Sequence, residues 1–597
     1  MHPVFITLLC FLLAPYFALV QPAPPVMTIP QIQGPGLASP YAGQQLASPL
    51  RGCITGVTAE GFFLQDPTGD GDARTSDGVY VYRYSKWMNP RKLKPGDLVE
   101  ITRYEVQEYY GQTEIAGLRD DKAQTYRVLG NCALPAPVRI ATPEDPDENL
   151  SARYEAVEGQ RVIVDLEASV AGPTQRFESR HPAGDPEITI VGSGSPYFGQ
   201  RIFAGELPID RGGLALSGGL GVDLPQADAF DRLTAEALTG ILAYQFGRYV
   251  LLVDDPSPLR LTPASVEPAS AAPPGPDEWT VCSFNVKNLF DVVDDGDGDL
   301  GDWTPATAAA YRRDIDATAR LLRDALGSCT IVGLQEVEGK DAVWADLARA
   351  AGPRYRFDYW ESADARDITV GLLYDDARVE LRSSAPFQAC GDVDYGVDVT
   401  VARGPRVKGE PCAGGTYPLY DRPPHVADVV VANAAGDRRM EVRLVVVHLK
   451  SKRGDEAENL GRRVQQAKHV ASLLDAPYAI ALGDFNDDLG SQPMTQFESF
   501  VNPYQRHTAP AGRYSYIYNG RAQAVDHIII SPELDRYYAD GGAVHVNADF
   551  GEPLPGAVGR TSDHDPVIVR FLFRPTGVSD ALVGAACGAY SHPFRLK

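Results

Sequence analysis

The period of the hydrophobic pattern changes along the chain. Residues 51–130 alternate apolar and polar positions in the runs CITGVTAEGFFLQD, GVYVYRYS, DLVEITRYEVQEYY and TYRVL, with turn residues between them. Period-two runs of this length predict a small all-β barrel, placed at 51–135. Residues 150–262 are β-rich again, in GQRVIVDLEASV, ALTGILAYQF and GRYVLLVDD, and predict a second β domain broken by glycine-rich turns. From Trp279 onward strand-like runs alternate with helical ones, which predicts an α/β domain over 279–573. Its strands are TVCSFN, TIVGLQE, ITVGLLYD, EVRLVVVH, YAIALGD, AVDHIIIS and DPVIVRFLF. Apolar residues at steps of three and four predict a helix over 305–326, capped by Thr304, opened by Pro305 and ended by Gly327. The same spacing predicts a second helix over 457–474.

Between these blocks the composition changes. Residues 24–50 read as a flexible leader, 263–278 as a Pro-rich linker and 574–597 as a tail with little pattern. Residues 4–20 are almost wholly apolar, and a Pro/Ala-rich stretch follows at once. This reads as a signal peptide over 1–23, so the chain is expected to be secreted and extracellular, with the periplasm or cell surface as other destinations. An uncleaved anchor is the alternative. Export permits disulfides. Pairing neighbours gives Cys53–Cys132, Cys282–Cys329 and Cys390–Cys412 with Cys587 left over, a guess from order alone. No cysteine spacing suits structural zinc.

Acidic residues exceed basic ones by 79 to 55, for a net charge of −24. That argues against a protein held to nucleic acid by a basic surface, but not against an enzyme meeting a polyanion through bound dications. Polar residues recur at the edges of the apolar runs of 279–573. Asn285, Glu336, His448, Asp484 and Asn486 follow strand-like runs, and Asp526, Asp563 and His564 precede them. In a mixed sheet the end of one strand lies beside the start of its neighbour, so all of these can gather at one rim. Glu336, Asp484, Asp526 and Asp563 would then crowd one cleft, and like charges that close need compensation. A dication bound by oxygen donors, Mg²⁺ with Mn²⁺ or Ca²⁺ as alternatives, is the natural solution. With two histidines, the set suits phosphate-ester hydrolysis. No GxSxG serine elbow is present for acyl transfer.

The pieces SFNVKNLF, GLQEVE, VVVHLKSK, LGDFNDD, VDHIIIS and SDHDPV, in this order, resemble the endonuclease/exonuclease/phosphatase superfamily, which contains the DNase-I-like enzymes. The resemblance implies a four-layer α/β sandwich, two packed β-sheets flanked by helices. It implies that Glu336, Asn285 and Asp563 hold the metal and that Asp484, helped by Asn486, orients or deprotonates water. It implies further that Asp526 orients His564 on the phosphate, that His448 binds phosphate or protonates the leaving oxygen, and that Arg463 faces the substrate. His527 alternates to the opposite face of its strand and is left out of the site. Residues GFFLQDPTGDGDARTSDGVYVY and EYYGQTEI resemble the OB-fold-like domain of bacterial secreted nucleases, and the middle region is similar to the segment such proteins place next.

Other features have plainer readings. The acidic runs 66–77 and 291–302 could wrap Ca²⁺ but lack a full EF-hand pattern, and solvated turns account for them. The aromatic residues of 80–110 could stack on bases, while alternate positions more simply make core. The sequence therefore predicts a secreted, metal-dependent nuclease acting on DNA, with RNA in second place. The rivals are another phosphoesterase on the same fold, with phospholipid or nucleotide substrates, and a non-catalytic nucleic-acid-binding or adhesion protein.

Overall fold

The computed structural model describes residues 26–82, 92–118, 125–145, 149–177, 184–208, 211–293, 305, 307–397, 412–554 and 559–574. The expected signal peptide, residues 575–597 of the tail, residues 294–302 of the second acidic run and residues 83–91 of the aromatic stretch lie outside these residues. The chain divides into two compact units. One comprises residues up to Ala136 with Glu155–Arg161, and the other Pro137–Tyr154 with everything from Val162 onward.

The first unit is one eight-stranded sheet around a single core. Alternate residues of its strands, such as Phe62 and Leu64, Val79 and Val81, and Val99 and Ile101, enter that core. Tyr80 and Tyr104 are buried, whereas Tyr109 and Tyr110 sit exposed at a turn. Cys53 and Cys132 are disulfide-bonded.

In the second unit the strands Arg161–Phe177, Asp185–Gly192, Leu214–Ser217, Arg248–Val253 and Arg232–Gln245 close into a ring. The Pro-rich segment that follows is bonded along the α/β region. Ala269 N–H donates to His545 C=O at 2.9 Å, and Ala271 N–H to Ala325 C=O at 2.7 Å. Gly327, at φ +59°, passes so close to Ala271 that a side-chain carbon there would lie 2.7 Å from its carbonyl oxygen.

The α/β region is a four-layer sandwich. The six-stranded sheet runs in the order Tyr355–Tyr359, Ile368–Asp375, Ile331–Glu338, Glu278–Leu289, Val567–Leu572, Tyr538–Ala543. The five-stranded sheet runs Val379–Pro386, His425–Ala432, Arg439–His448, Ala479–Asp484, Asp526–Ile530. Strand alternation explains the layering. Val281, Ile331, Leu444 and Leu482 fill the space between the sheets. Their neighbours Cys282 and Val332 face the helices Ala308–Arg320 and Asp341–Ala351. Val445 and Ala481 face the helix Glu456–Leu473. Strands buried on both faces read as unbroken apolar runs. Cys282–Cys329 and Cys390–Cys412 are also disulfide-bonded, so all three neighbour pairs are present.

The first helix begins later than its periodicity predicts. Thr307, not Thr304, is the cap, its hydroxyl accepting Ala310 N–H at 3.1 Å, and a π-helical turn over Leu321–Ala325 follows Arg320. Apolar spacing does not register which of several threonines caps. Asp455 caps the second helix, accepting from Ala457 and Glu458.

Candidate active site

The register of the two sheets brings the candidate residues together. His448 pairs with Asp484 on a parallel strand, and Asp484 pairs with Asp526 on an antiparallel one. Gly483 lets these strands close up. At φ +150°, a side-chain carbon on it would lie 1.9 Å from Val447 C=O. Across the sandwich, the pairing of Ile331–Glu338 with Ile368–Asp375 shifts register between Gln335 and Val337. Glu336 sits in that bulge at φ +64°. Lys287, Asn288 and Asn486 also have positive φ. Backbone strain of about 1–3 kcal/mol per residue is tolerated where surrounding structure fixes it, and here it surrounds one cleft.

Within the cleft, Asn285 Nδ2 donates to Asp484 Oδ2 at 3.1 Å and lies 3.4 Å from Glu336 Oε1. Asn288 N–H donates to Glu336 Oε2 at 3.1 Å. Asn486 N–H donates to Asp484 Oδ1 at 2.7 Å, and its amide donates to Leu449 C=O. His448 Nε2 stands 3.6 Å from Asp484 and 3.8 Å from Glu336. His564 Nδ1 lies 2.8 Å from Asp526 Oδ2, while its Nε2 points to Asp484 at 4.0 Å. Ser515 Oγ donates to the same Asp526 oxygen at 2.7 Å, and the Tyr516 ring stacks on His564 at 4.7 Å.

This crowding sets the protonation pattern. Burial pushes Asp484 up to about 7, with Asp526 adding to the rise and His564 opposing it. Burial alone would lower His564, but the charge and hydrogen bond of Asp526, then Asp484 and Asp563, raise it well above the usual histidine value. Burial, and then Arg422, Arg366 and His564, push His448 well below it. The cleft thus drives its two imidazoles in opposite directions, His564 toward the protonated form and His448 toward the neutral one. Burial would raise Asp563, yet Lys287, His564 and Arg560 outweigh it and hold this carboxyl below its ordinary value.

Asp484, Asp526 and His564 offer donor atoms within 4.8 Å of one another. His564 Nδ1 and Asp526 Oδ2 are bonded to each other, which leaves His564 Nε2 and the second oxygen of Asp526, beside Asp484, as the donors of this group that a cation could use. Glu336 and Asp484 are hard oxygen donors that fit a Mg²⁺-type ion. Asn285 presents its NH₂ to them while its oxygen accepts Lys287 N–H at 3.0 Å, so ligation by Asn285 requires the amide to turn.

Arg463 is not at the substrate face. Its side chain is 0% exposed, with Nε 2.8 Å from Asp487 Oδ2 and Nη2 on Glu456. A guanidinium so enclosed ties the helix to the loop after Asp484, and the expectation that it meets substrate is corrected. His527 also lies outside the site, bonded to Asn502 and to Asp487 C=O. Sequence reasoning missed Asn288, Arg366, Ser515 and Tyr516. Arg366 Nη1 donates to Asn288 Oδ1 at 3.1 Å and so supports the Glu336 contact. Asn288 lay within the quoted SFNVKNLF motif, while the other three carry no period or spacing that marks them.

Residues 280–403 match the model of the endonuclease/exonuclease/phosphatase family. The matched stretch takes in the strands that carry Asn285 and Glu336. No curated protein matches the chain. Among solved structures, the chain is similar to a humanized D. rerio TDP2 with 14 mutations, at 18% identity over 49% of this chain and 99% of that one, TM-score 0.33. An endonuclease/exonuclease/phosphatase family protein from Bacteroides thetaiotaomicron is 18% identical over 50% of this chain and 98% of its own, TM-score 0.33. D. rerio TDP2 in complex with a single-strand DNA product is 17% identical, over 49% and 98%, TM-score 0.33.

Proposed function

We propose that this protein is an exported, divalent-metal-dependent phosphodiesterase that hydrolyses DNA, with RNA as a second substrate. The observation that carries the reading is geometric: His564, held through Nδ1 by Asp526 at 2.8 Å, turns Nε2 toward Asp484 in one cleft where Asn285 bridges Asp484 and Glu336. Glu336 and Asp484, joined by Asn285 if its amide turns, would hold the cation. When bound, that ion supplies Lewis-acid polarisation of a phosphoryl oxygen and charge neutralisation. Asp484, fixed by Asn486 N–H and Asn285, orients a water and accepts its proton. His564 donates from Nε2 to a phosphate oxygen while Asp526 keeps Nδ1 occupied. As the water attacks phosphorus, the bond to the leaving sugar oxygen breaks, and that oxygen takes a proton from His564 Nε2, directly or relayed by His448 at the phosphate. Asp563, next to Lys287 and His564, supports the charge balance of the rim. The apolar N-terminal run and the disulfides support export. The curled first unit, expected to be OB-fold-like, would bind a nucleic-acid strand.

The test incubates the full chain with plasmid DNA, with RNA and with phospholipid vesicles, each with Mg²⁺ or chelator. Cation-dependent loss of plasmid is expected. Vesicle turnover without DNA cleavage would move the assignment to a lipid phosphodiesterase.

A further inference from the structure

The middle β region grips the two segments that hold the Asp526–His564 pair from behind. Those segments are the hairpin 514–523 and the loop 545–552. The short strand Ile202–Phe203 adds in parallel to Arg521–Gln523, extending the hairpin that carries Tyr516. Gln175 Nε2 donates to Ile517 C=O at 2.8 Å, and Arg521 Nη2 donates back to Pro208 C=O at 3.0 Å and Arg211 C=O at 2.5 Å. On the loop, Ala229 N–H donates to Asp549 C=O at 2.7 Å, and Gly551 N–H to Asp228 Oδ1 at 2.7 Å. The approach is close enough that a side-chain carbon on Gly172 would lie 2.9 Å from Gly520 N, and one on Gly551 2.7 Å from Ala227 C=O.

At the centre of this seam is one buried cation. Arg201 Nη2 lies 2.5 Å from Asp549 Oδ1 and 3.2 Å from the Tyr514 hydroxyl. Its guanidinium packs against two rings, Phe230 at 4.6 Å and Tyr514 at 4.4 Å. Only 10% of its side chain and 6% of that of Asp549 are exposed, so the pair is shielded from competing water. From Tyr514 the contacts run on toward the site. The Tyr514 hydroxyl donates to Asp549 at 2.7 Å, and its ring stacks on His545 at 4.0 Å. His545 Nδ1 is 2.8 Å from Asp565 Oδ2, and Asp565 Oδ1 accepts three successive backbone N–H groups, of Val546, Asn547 and Ala548. Asn547 Nδ2 holds His564 C=O at 2.7 Å, and Asp565 N–H holds Ser515 C=O at 2.6 Å. Ser515 in turn donates to Asp526.

We infer that the middle β region is a working part of the hydrolytic site, and that Arg201 is a positioning residue which fixes the His564–Asp526 pair through Tyr514, His545 and Asp565. The inference rests on the reading of that pair as catalytic. Arg is the residue suited to the task, since a planar guanidinium packs on aromatic rings and still reaches a carboxylate, which an ammonium does not reproduce. Misplacing a reacting group by a fraction of an ångström costs rate and not affinity.

The experiment uses the full chain in three forms: wild type, Arg201→Met and Arg201→Lys. Kinetics on plasmid DNA with Mg²⁺ are measured beside NMR of ¹⁵N-histidine-labelled protein. The hydrogen-bonded imidazole proton of His564 is assigned by its loss in His564→Ala. Arg201→Met is expected to lower kcat roughly tenfold with KM within about twofold, and to speed exchange of that proton, with Arg201→Lys recovering part of both. A folded Arg201→Met with wild-type kcat and an unaltered imidazole signal overturns the inference. Should Arg201→Met not fold, Tyr514→Phe, which keeps the ring on His545 and deletes the hydroxyl between Arg201 and Asp549, decides in the same two ways. If wild type cleaves no DNA but the imidazole signal still changes with Arg201, the nucleic-acid reading fails and the positioning role stands.

Discussion

Asp526 Oδ2 receives both the imidazole Nδ1 of His564, at 2.8 Å, and the hydroxyl of Ser515, at 2.7 Å. One oxygen therefore fixes the ring in place and leaves Nε2 free to face Asp484. Its charge also keeps the imidazole protonated against the cost of burial. Asp526→Asn removes the charge and puts an NH₂ where an acceptor is needed. We expect kcat to fall by roughly 10²–10⁴-fold, approaching the loss in His564→Ala, with little change in KM. Steady-state kinetics of both variants on plasmid DNA check this.

Glu336 stands in a β-bulge at φ +64° with its oxygens turned to Asn285 and Asn288. If it is the main oxygen donor to the cation, Glu336→Gln should lower cleavage at least ~100-fold and raise the Mg²⁺ concentration giving half-maximal rate. Mg²⁺ should raise the melting temperature of wild type, and EDTA should reverse that rise. A variant whose Mg²⁺ response matches wild type would place the ion elsewhere.

Arg463 joins the helix Glu456–Leu473 to Asp487 and never reaches the cleft surface. Replacing it leaves the buried Asp487 carboxylate with only the half-exposed Lys452 ammonium, 3.6 Å away, as a cation. Arg463→Met should therefore cost stability on the order of 3–5 kcal/mol, while KM for DNA stays within about twofold. Denaturant unfolding and kinetics below the melting range separate the two effects. A large rise in KM with unchanged stability would restore the substrate-binding role.

These positions also show what a sequence reveals. The strands buried on both faces, such as Ile331–Glu338 and Ala479–Asp484, announce themselves as apolar runs, and their polar ends locate the rim. The edge strands Val379–Pro386 and Tyr538–Ala543 were not legible, since a sheet edge is polar or glycine-rich and breaks the alternation. The helix Asp341–Ala351 shows its buried face in the spacing of Val343, Trp344, Leu347 and Ala351, a stretch too short to stand out beside the two longer helical runs. Side-chain direction was the harder problem. A helical Arg three or four residues from apolar neighbours looks the same whether it reaches solvent or an internal carboxylate, as Arg463 does. Nor does any local pattern tie Arg201 to Tyr514, 313 residues away.

Glu114, in the strand Gln112–Gly117 of the first unit, is buried, and that burial with nearby Glu108 pushes its carboxyl up to about 7. Burial also holds Glu158 of the same unit well above its usual value, with Glu155 adding and the Thr113 N–H bond opposing. In the unfolded chain both titrate near 4.5. Between that value and the folded one the native state binds more protons than the unfolded state, so stability falls as pH rises. The contribution of Glu114 is fully present below about 4.5 and is lost as pH climbs through about 7. Glu114→Gln carries no charge to bury and should flatten this dependence. The variant and wild type should melt alike near pH 4.5, with the variant the more stable above pH 7. Melting curves from pH 4.5 to 8 measure it, and parallel curves for the two proteins would show that Glu114 does not take up a proton on folding.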